Sequence, residues 1–362
     1  MPTRRRRLVV AALVLGGQFV AFEGFLRWWG GSEAAPVFQQ LFMPDDRIGY
    51  RLRPDTRITF STREFTTDIA INVQGVRDDP VPPKAPGERR IVVLGDSLVM
   101  AVQVELAETF CKRLEARLNA RAAPGVRYRV INAGVQGYGP VEELMFYRTV
   151  AAAFEPDLVL VTTFVANDAV EAFDAAWRLD PSRPATVELR DQTQRSLRRI
   201  VRRSIVLQVT ARRLNQLAER LGRSPAPERP VTTYLESPPD FIVRGLEVAR
   251  RALGELVEET SRQGARMAIV LMPARFQLDP AEYERLRAVV EPMGGPLRMD
   301  AASERFAAAL EPLGVPTIDM LPVLRRSPEG QFFAGTVHLT PRGHETVAAA
   351  LDAFIEEEEL LP

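Results

Sequence analysis

Residues 90–98, Arg-Ile-Val-Val-Leu-Gly-Asp-Ser-Leu, constrain this chain more than any other stretch. Ile91 to Leu94 are four consecutive apolar residues. A strand of that kind is buried on both faces, as in a parallel sheet covered by helices. Gly95-Asp96-Ser97 stops the strand, and an amphipathic helix follows after a short loop. Ser97 then stands at the carboxyl end of a strand, where open α/β sheets place their ligands. A serine there is a candidate nucleophile if a base reaches it. Taken alone, Asp96 and Ser97 read equally well as a helix cap.

Three further segments supply partners. Val130-Ile-Asn-Ala-Gly-Val-Gln-Gly-Tyr-Gly139 is a short strand running into a glycine-rich loop. At Gly137 a backbone N–H can approach a substrate with no Cβ in the way. Leu158 to Asp168 is a long apolar strand ending at Asn167, whose amide can donate to a developing oxyanion. Thr336-Val-His-Leu-Thr-Pro-Arg-Gly-His344 leads into the last helix and holds both histidines of the chain.

Ser, Gly, Asn and His in this order resemble the SGNH (GDSL) hydrolase family, and Gly95-Asp96-Ser97-Leu98 is its name motif. The resemblance runs from about residue 89 to the C-terminus. It implies that Ser97 is the nucleophile and His338 the general base. It also implies an oxyanion hole built from the N–H groups of Ser97 and Gly137 and the Asn167 amide. Thr340 would cap the last helix with Pro341 at its first position, so His344, a turn inside, reads as a packing or surface histidine. The family's third triad member is an aspartate two or three residues before the histidine. Here those positions are Thr336 and Gly335. Three readings follow: a Ser-His dyad with Thr336 or a carbonyl orienting the ring, a substitute acid such as Asp319 or Glu329, or a weak or inactive binding protein. Asp96 and Asp168 read as structural acids beside their neighbours' turns.

The 362 residues carry no formal net charge, which gives no reason to expect nucleic acid as a partner. One cysteine, Cys111, excludes an intrachain disulfide, and one Cys with two His at these spacings makes no metal site. No cofactor is expected. Arg4 to Arg7 precede an apolar run from Leu8 to Trp29 that would span about 33 Å as a helix. The basic cluster and the tryptophans predict a single-pass anchor in the inner membrane with the body in the periplasm. A cleaved signal peptide is the alternative, with Ser32-Glu33-Ala34 as its cleavage site. Residues 30–88 read as a β-rich extension and linker: Ile58-Thr-Phe-Ser-Thr and Phe65 to Asn72 alternate apolar and polar residues. Arg77 and Asp78 read as a surface salt bridge.

From residue 89 onward, strands are expected near 91–94, 128–132, 157–164, 266–272 and 316–319. Helices are expected near 107–121, 141–153, 241–263, 298–312 and 342–357. This alternation predicts a three-layer α/β/α domain with a mainly parallel five-stranded sheet, flavodoxin-like, interrupted by a helical insertion at about 180–239. The basic stretch 194–214 within it reads as a solvated lid or as a surface lying on anionic membrane. The expected activity is ester hydrolysis through a Ser97 acyl-enzyme on an ester-bearing small molecule, lipid or carbohydrate. An O-acyltransferase acting on an envelope carbohydrate would use the same residues.

Overall fold

The computed structural model describes residues 38–179 and 229–361. The expected anchor at 1–29 and the insertion up to residue 228 lie outside the described residues. Among the described residues, no helix is long and apolar enough to cross a membrane.

Two antiparallel hairpins open the described chain. The first pairs β1 (Phe42–Asp45) with β2 (Gly49–Leu52), and the second pairs β3 (Thr56–Ser61) with β4 (Thr66–Ile71). In the second, Ile58 faces Ile69 across the ladder, and Ile58, Ile69 and Ile71 point into the core. The first hairpin was not expected. Its strands are four residues long and include Pro44, too short for an alternating pattern to register.

The main sheet contains β5 (Glu88–Gly95), β6 (Arg127–Gly134), β7 (Leu158–Phe164), β8 (Arg266–Met272) and β9 (Thr317–Asp319). All five are parallel, in the order β6-β5-β7-β8-β9. Every residue of the central strand β7 is buried, as two-sided helix cover requires. Strand β5 begins three residues earlier than its apolar run. Arg90 is buried there because its guanidinium bonds the Glu88 carboxylate and the carbonyls of Pro82 and Phe154.

Among the described residues, the helices are α1 (Ser97–Met100), α2 (Phe110–Ala120), α3 (Pro140–Thr149), α4 (Asp168–Ala175), α5 (Asp240–Arg262), α6 (Pro280–Gly294), α7 (Ala301–Leu310), α8 (Met320–Arg325) and α9 (Pro341–Glu357). Helices α2, α8 and α9 pack together against one face of the sheet, and α3, α4, α5 and α7 against the other. Four of these were not expected. Helices α1 and α8 are too short to show a period, α4 starts after only a three-residue turn from β7, and α6 carries Pro292 in its interior.

Arg77 and Asp78 correct the surface reading, because both are buried. After α1 the chain turns through Ala101 in the left-handed region, and its carbonyls need donors from elsewhere. Arg77 supplies them, donating to Met100 O at 2.8 Å, to Ala101 O, and to Val104 O at 2.6 Å. Asp78 accepts from the Asn132 N–H at 2.8 Å and pairs with Lys112 at 2.6 Å. The linker thus pins the segment that carries Ser97.

Helices α4 and α5 meet where Gly245 crosses Ala169. A Cβ on Gly245 would stand 1.9 Å from the Ala169 carbonyl oxygen. Gly245→Ala is therefore expected to cost about 1–3 kcal/mol through overpacking and to lower Tm in thermal unfolding. An unchanged Tm would contradict this close crossing.

Candidate active site

The strand order places a switch point between β5 and β7: the chain runs outward to β6 on one side and to β7, β8 and β9 on the other. Ligands bind such sheets at the carboxyl ends of the strands flanking that point. Ser97 lies there, as the first residue of α1. Asp96 is the cap, and its buried carboxylate accepts from the Leu98 N–H at 2.8 Å. Asp96 and Ser97 thus form a helix start, and Ser97 also meets a base. His338 Nε2 lies 2.9 Å from Ser97 Oγ, across 241 residues of sequence.

His338 sits on a tight loop before α9. Phe332 bridges Leu339, and the Phe333 N–H donates to the His338 carbonyl at 3.0 Å. Thr340 caps α9 through the Gly343 N–H, with Pro341 at the first position, as expected. Burial pushes the His338 imidazole down to about 4. The ring is therefore neutral at pH 7, the state a base requires. Its Nδ1 atom is buried and, among the described residues, has no hydrogen-bond partner.

The glycine loop lies beside Ser97. Val135 N–H donates to the Gly95 carbonyl at 3.0 Å. Gly137 has φ +74° and is exposed, and a Cβ there would stand 2.9 Å from the Tyr50 hydroxyl. Tyr50 in turn donates to the Gln136 carbonyl at 2.7 Å, and Tyr138 donates to the Tyr50 carbonyl at 2.6 Å. The first hairpin thus braces this loop, a role no local pattern around Tyr50 announces.

Asn167 ends the β7 turn, but its amide is engaged. Nδ2 donates to Glu171 Oε1 at 2.9 Å, and the side chain also hydrogen-bonds Asp96. Donation to an oxyanion would require exchanging one of these bonds. Asn132, which the sequence reading passed over, ties β6 to α1 by donating to Val99 O at 2.8 Å. A lone amide inside an apolar strand was the signal for it.

The other candidates fall elsewhere. His344 is buried as a packing histidine. It stacks on Phe110, and its Nδ1 accepts the Phe110 N–H at 3.1 Å. The substitute acids are corrected by their own positions, because among the described residues neither hydrogen-bonds the loop that carries His338. Asp319 spends its carboxylate capping α8, where it accepts from Leu321 N–H at 2.8 Å. Glu329 stands exposed in the turn beyond α8. Thr336 does not orient the ring either, since its hydroxyl accepts the His338 backbone N–H at 3.2 Å.

A hydroxyl in contact with an uncharged imidazole, presented at the carboxyl edge of a parallel α/β sheet, has the layout of a hydrolase site. The GDSL-like Lipase/Acylhydrolase family model matches residues 93–346, and the chain belongs to that family. It is, in general terms, an ester hydrolase. A comparison with curated protein sequences finds no match. Among solved structures, the chain is similar to LAE5, an alpha/beta hydrolase enzyme from the metagenome of Lake Arreo, Spain. That likeness has 16% identity and a TM-score of 0.42, covering 76% of this chain and 97% of that one. TesA is similar at 13% identity and TM-score 0.42, over 75% of this chain and 100% of that chain. Axe2, an acetylxylan esterase from Geobacillus stearothermophilus, is similar at 14% identity and TM-score 0.41, over 75% and 96% of the two chains.

Beneath the site lies a group of buried acids. Among the described residues, both Glu143 carboxylate oxygens lack partners, as do Asp168 Oδ1 and Glu171 Oε2. Burial first, and then mutual repulsion, push Glu143, Asp168 and Glu171 well above the carboxylate range. Burial also raises Asp96, to about 6. A raised acid contributes its full stability below the unfolded pKa, about 4.3 for Glu. That stability is lost as pH rises, because the unfolded chain ionises first. Glu143→Gln keeps the shape without the charge. Its Tm should match wild type at pH 4 and exceed it at pH 8; equal Tm values across that range would contradict the neutral-acid assignment.

Proposed function

We propose that this chain is a serine esterase in which Ser97 is the nucleophile and His338 the general base. The 2.9 Å contact between Ser97 Oγ and His338 Nε2 supports this reading most directly. The Ser97 proton passes to Nε2 as Oγ bonds the acyl carbon. The carbonyl electrons move onto the oxygen, which the Ser97 and Gly137 N–H groups and the Asn167 amide receive. One such donor is worth about 10²–10³ in rate. The intermediate expels the alcohol, which takes the proton from Nε2. Water, deprotonated by the same nitrogen, then releases the acid and restores Ser97.

The substrate class is an acyl ester on a small molecule, lipid or carbohydrate. An extracytoplasmic location with an inner-membrane anchor belongs to the same proposal. It rests on the sequence of residues 4–29, four arginines followed by an apolar run closed by Trp28 and Trp29.

With the full-length protein and a short-chain aryl ester, Ser97→Ala should lower kcat at least about a thousandfold, and His338→Ala nearly as far, because groups acting as a unit are not additive. His344→Ala should leave kcat near wild type but lower Tm. It strips the buried Phe110 N–H of its acceptor, a loss of about 1–3 kcal/mol. Wild-type turnover by Ser97→Ala would overturn the assignment.

A further inference from the structure

His338 holds its base nitrogen against Ser97 while its other nitrogen is buried and, among the described residues, without a partner. A base that carries a positive charge through a transition state works best with a third group that fixes its tautomer and offsets that charge. The loop bearing His338 offers none of its own: Gly335 has no side chain, and Thr336 is turned to the backbone. A carboxylate nevertheless arrives from the second hairpin. Among the described residues, Glu64 is the acidic side chain hydrogen-bonded to residues 333–338, and it accepts the Gly335 N–H at 2.9 Å. A Cβ on Gly335 would stand 2.9 Å from Glu64 Oε2. The Glu64 carboxylate therefore fills the space that a side chain three residues before His338 would occupy.

The delivery is built into the hairpin tip. Thr62 Oγ1 accepts the N–H groups of Glu64 and Phe65, each at 3.2 Å, and the Thr62 N–H donates to the Phe65 carbonyl at 2.8 Å. Phe65 packs on Phe333 of the histidine loop, with ring centroids 5.6 Å apart. Farther down, Thr67 donates to Val102 O at 2.6 Å, and the Asp68 N–H donates to Glu105. The tip is thus held to the same body that carries Ser97.

We propose that Glu64 is the acidic partner of His338, a positioning residue whose carboxylate takes the Nδ1–H when the ring accepts the Ser97 proton. In the structure as it stands, the carboxylate rests on the Gly335 N–H. The step asks for a side-chain rotation with the backbone tip unmoved. The Nδ1 proton stays on the ring throughout, and the carboxylate only accepts its hydrogen bond. Two basic groups also act on the loop: Arg275, which holds the Ala334 carbonyl and pairs with Glu282, and the buried His344. Both are basic, so neither can serve. This inference rests on the proposed roles of Ser97 and His338.

The test uses full-length Glu64→Gln, because the amide oxygen still accepts from Gly335 and keeps the loop anchored. We expect kcat for an aryl ester to fall at least tenfold with KM little changed. The acidic limb of kcat/KM should lie well above pH 4 in wild type, and in the variant should move down toward the value burial alone sets. Gly335→Asp should give no gain in wild type, where Glu64 fills the space. In a Glu64→Ala background it should recover activity. Gly335 does not have a positive φ, so its backbone accepts a side chain. Unchanged kcat and an unmoved acidic limb in Glu64→Gln would overturn the proposal. Ser97→Ala separates the two levels. If Ser97→Ala is dead while Glu64→Gln is wild type, the serine site stands and Glu64 is only structural. If Ser97→Ala is active, the site assignment itself fails.

Discussion

Burial of β5 and β7 on both faces is the constraint from which the rest of the molecule follows. Strands with no exposed face need helices above and below the sheet, and both β5 and β7 also have a strand on either side. The order β6-β5-β7-β8-β9 satisfies this, and it creates one place where neighbouring loops diverge. The turn carrying Ser97 and the turn carrying Asn167 leave the sheet there. The chain after β9 returns to the same edge, and with it comes His338. A contact across 241 residues is a consequence of that topology.

The hairpins that precede the sheet complete the edge. Tyr50 of the first holds the Gly137 loop through the Gln136 carbonyl. Arg77, just after the second, satisfies the carbonyls that α1 leaves open, and so fixes the helix whose first residue is Ser97. The tip of the second hairpin rests on the His338 loop. Burial around the site lowers the His338 imidazole and raises the Glu143 and Asp168 carboxyls.

Much of this was legible in the sequence, for a physical reason. Buried parallel strands are written as continuous apolar runs, so all five strands of the sheet were found within a few residues. Ser97, Gly137, Asn167 and His338 stand at strand ends or a helix start, where a breaker or cap marks them. What failed depends on pairing across distance. Arg77 and Asp78 looked like surface charges because nothing local shows that the Met100 carbonyl and Lys112 wait for them. Asp319 was offered as a substitute acid, but its place at a helix start commits it as a cap. The sequence reading of Asn167 as an oxyanion donor did not show that Glu171, one helical turn away, accepts from its amide. Glu64 had no local signal at all, because its significance lies in a glycine 271 residues later.

The central claim is that Ser97 is nucleophilic because His338 takes its proton. The most direct measurement is covalent labelling by a serine-directed phosphonate, followed by intact-mass analysis and peptide mapping. The account predicts one adduct per chain, on Ser97, forming rapidly in wild type and much more slowly in His338→Ala at pH 7. Labelling on another residue, or a rate indifferent to His338, would contradict it.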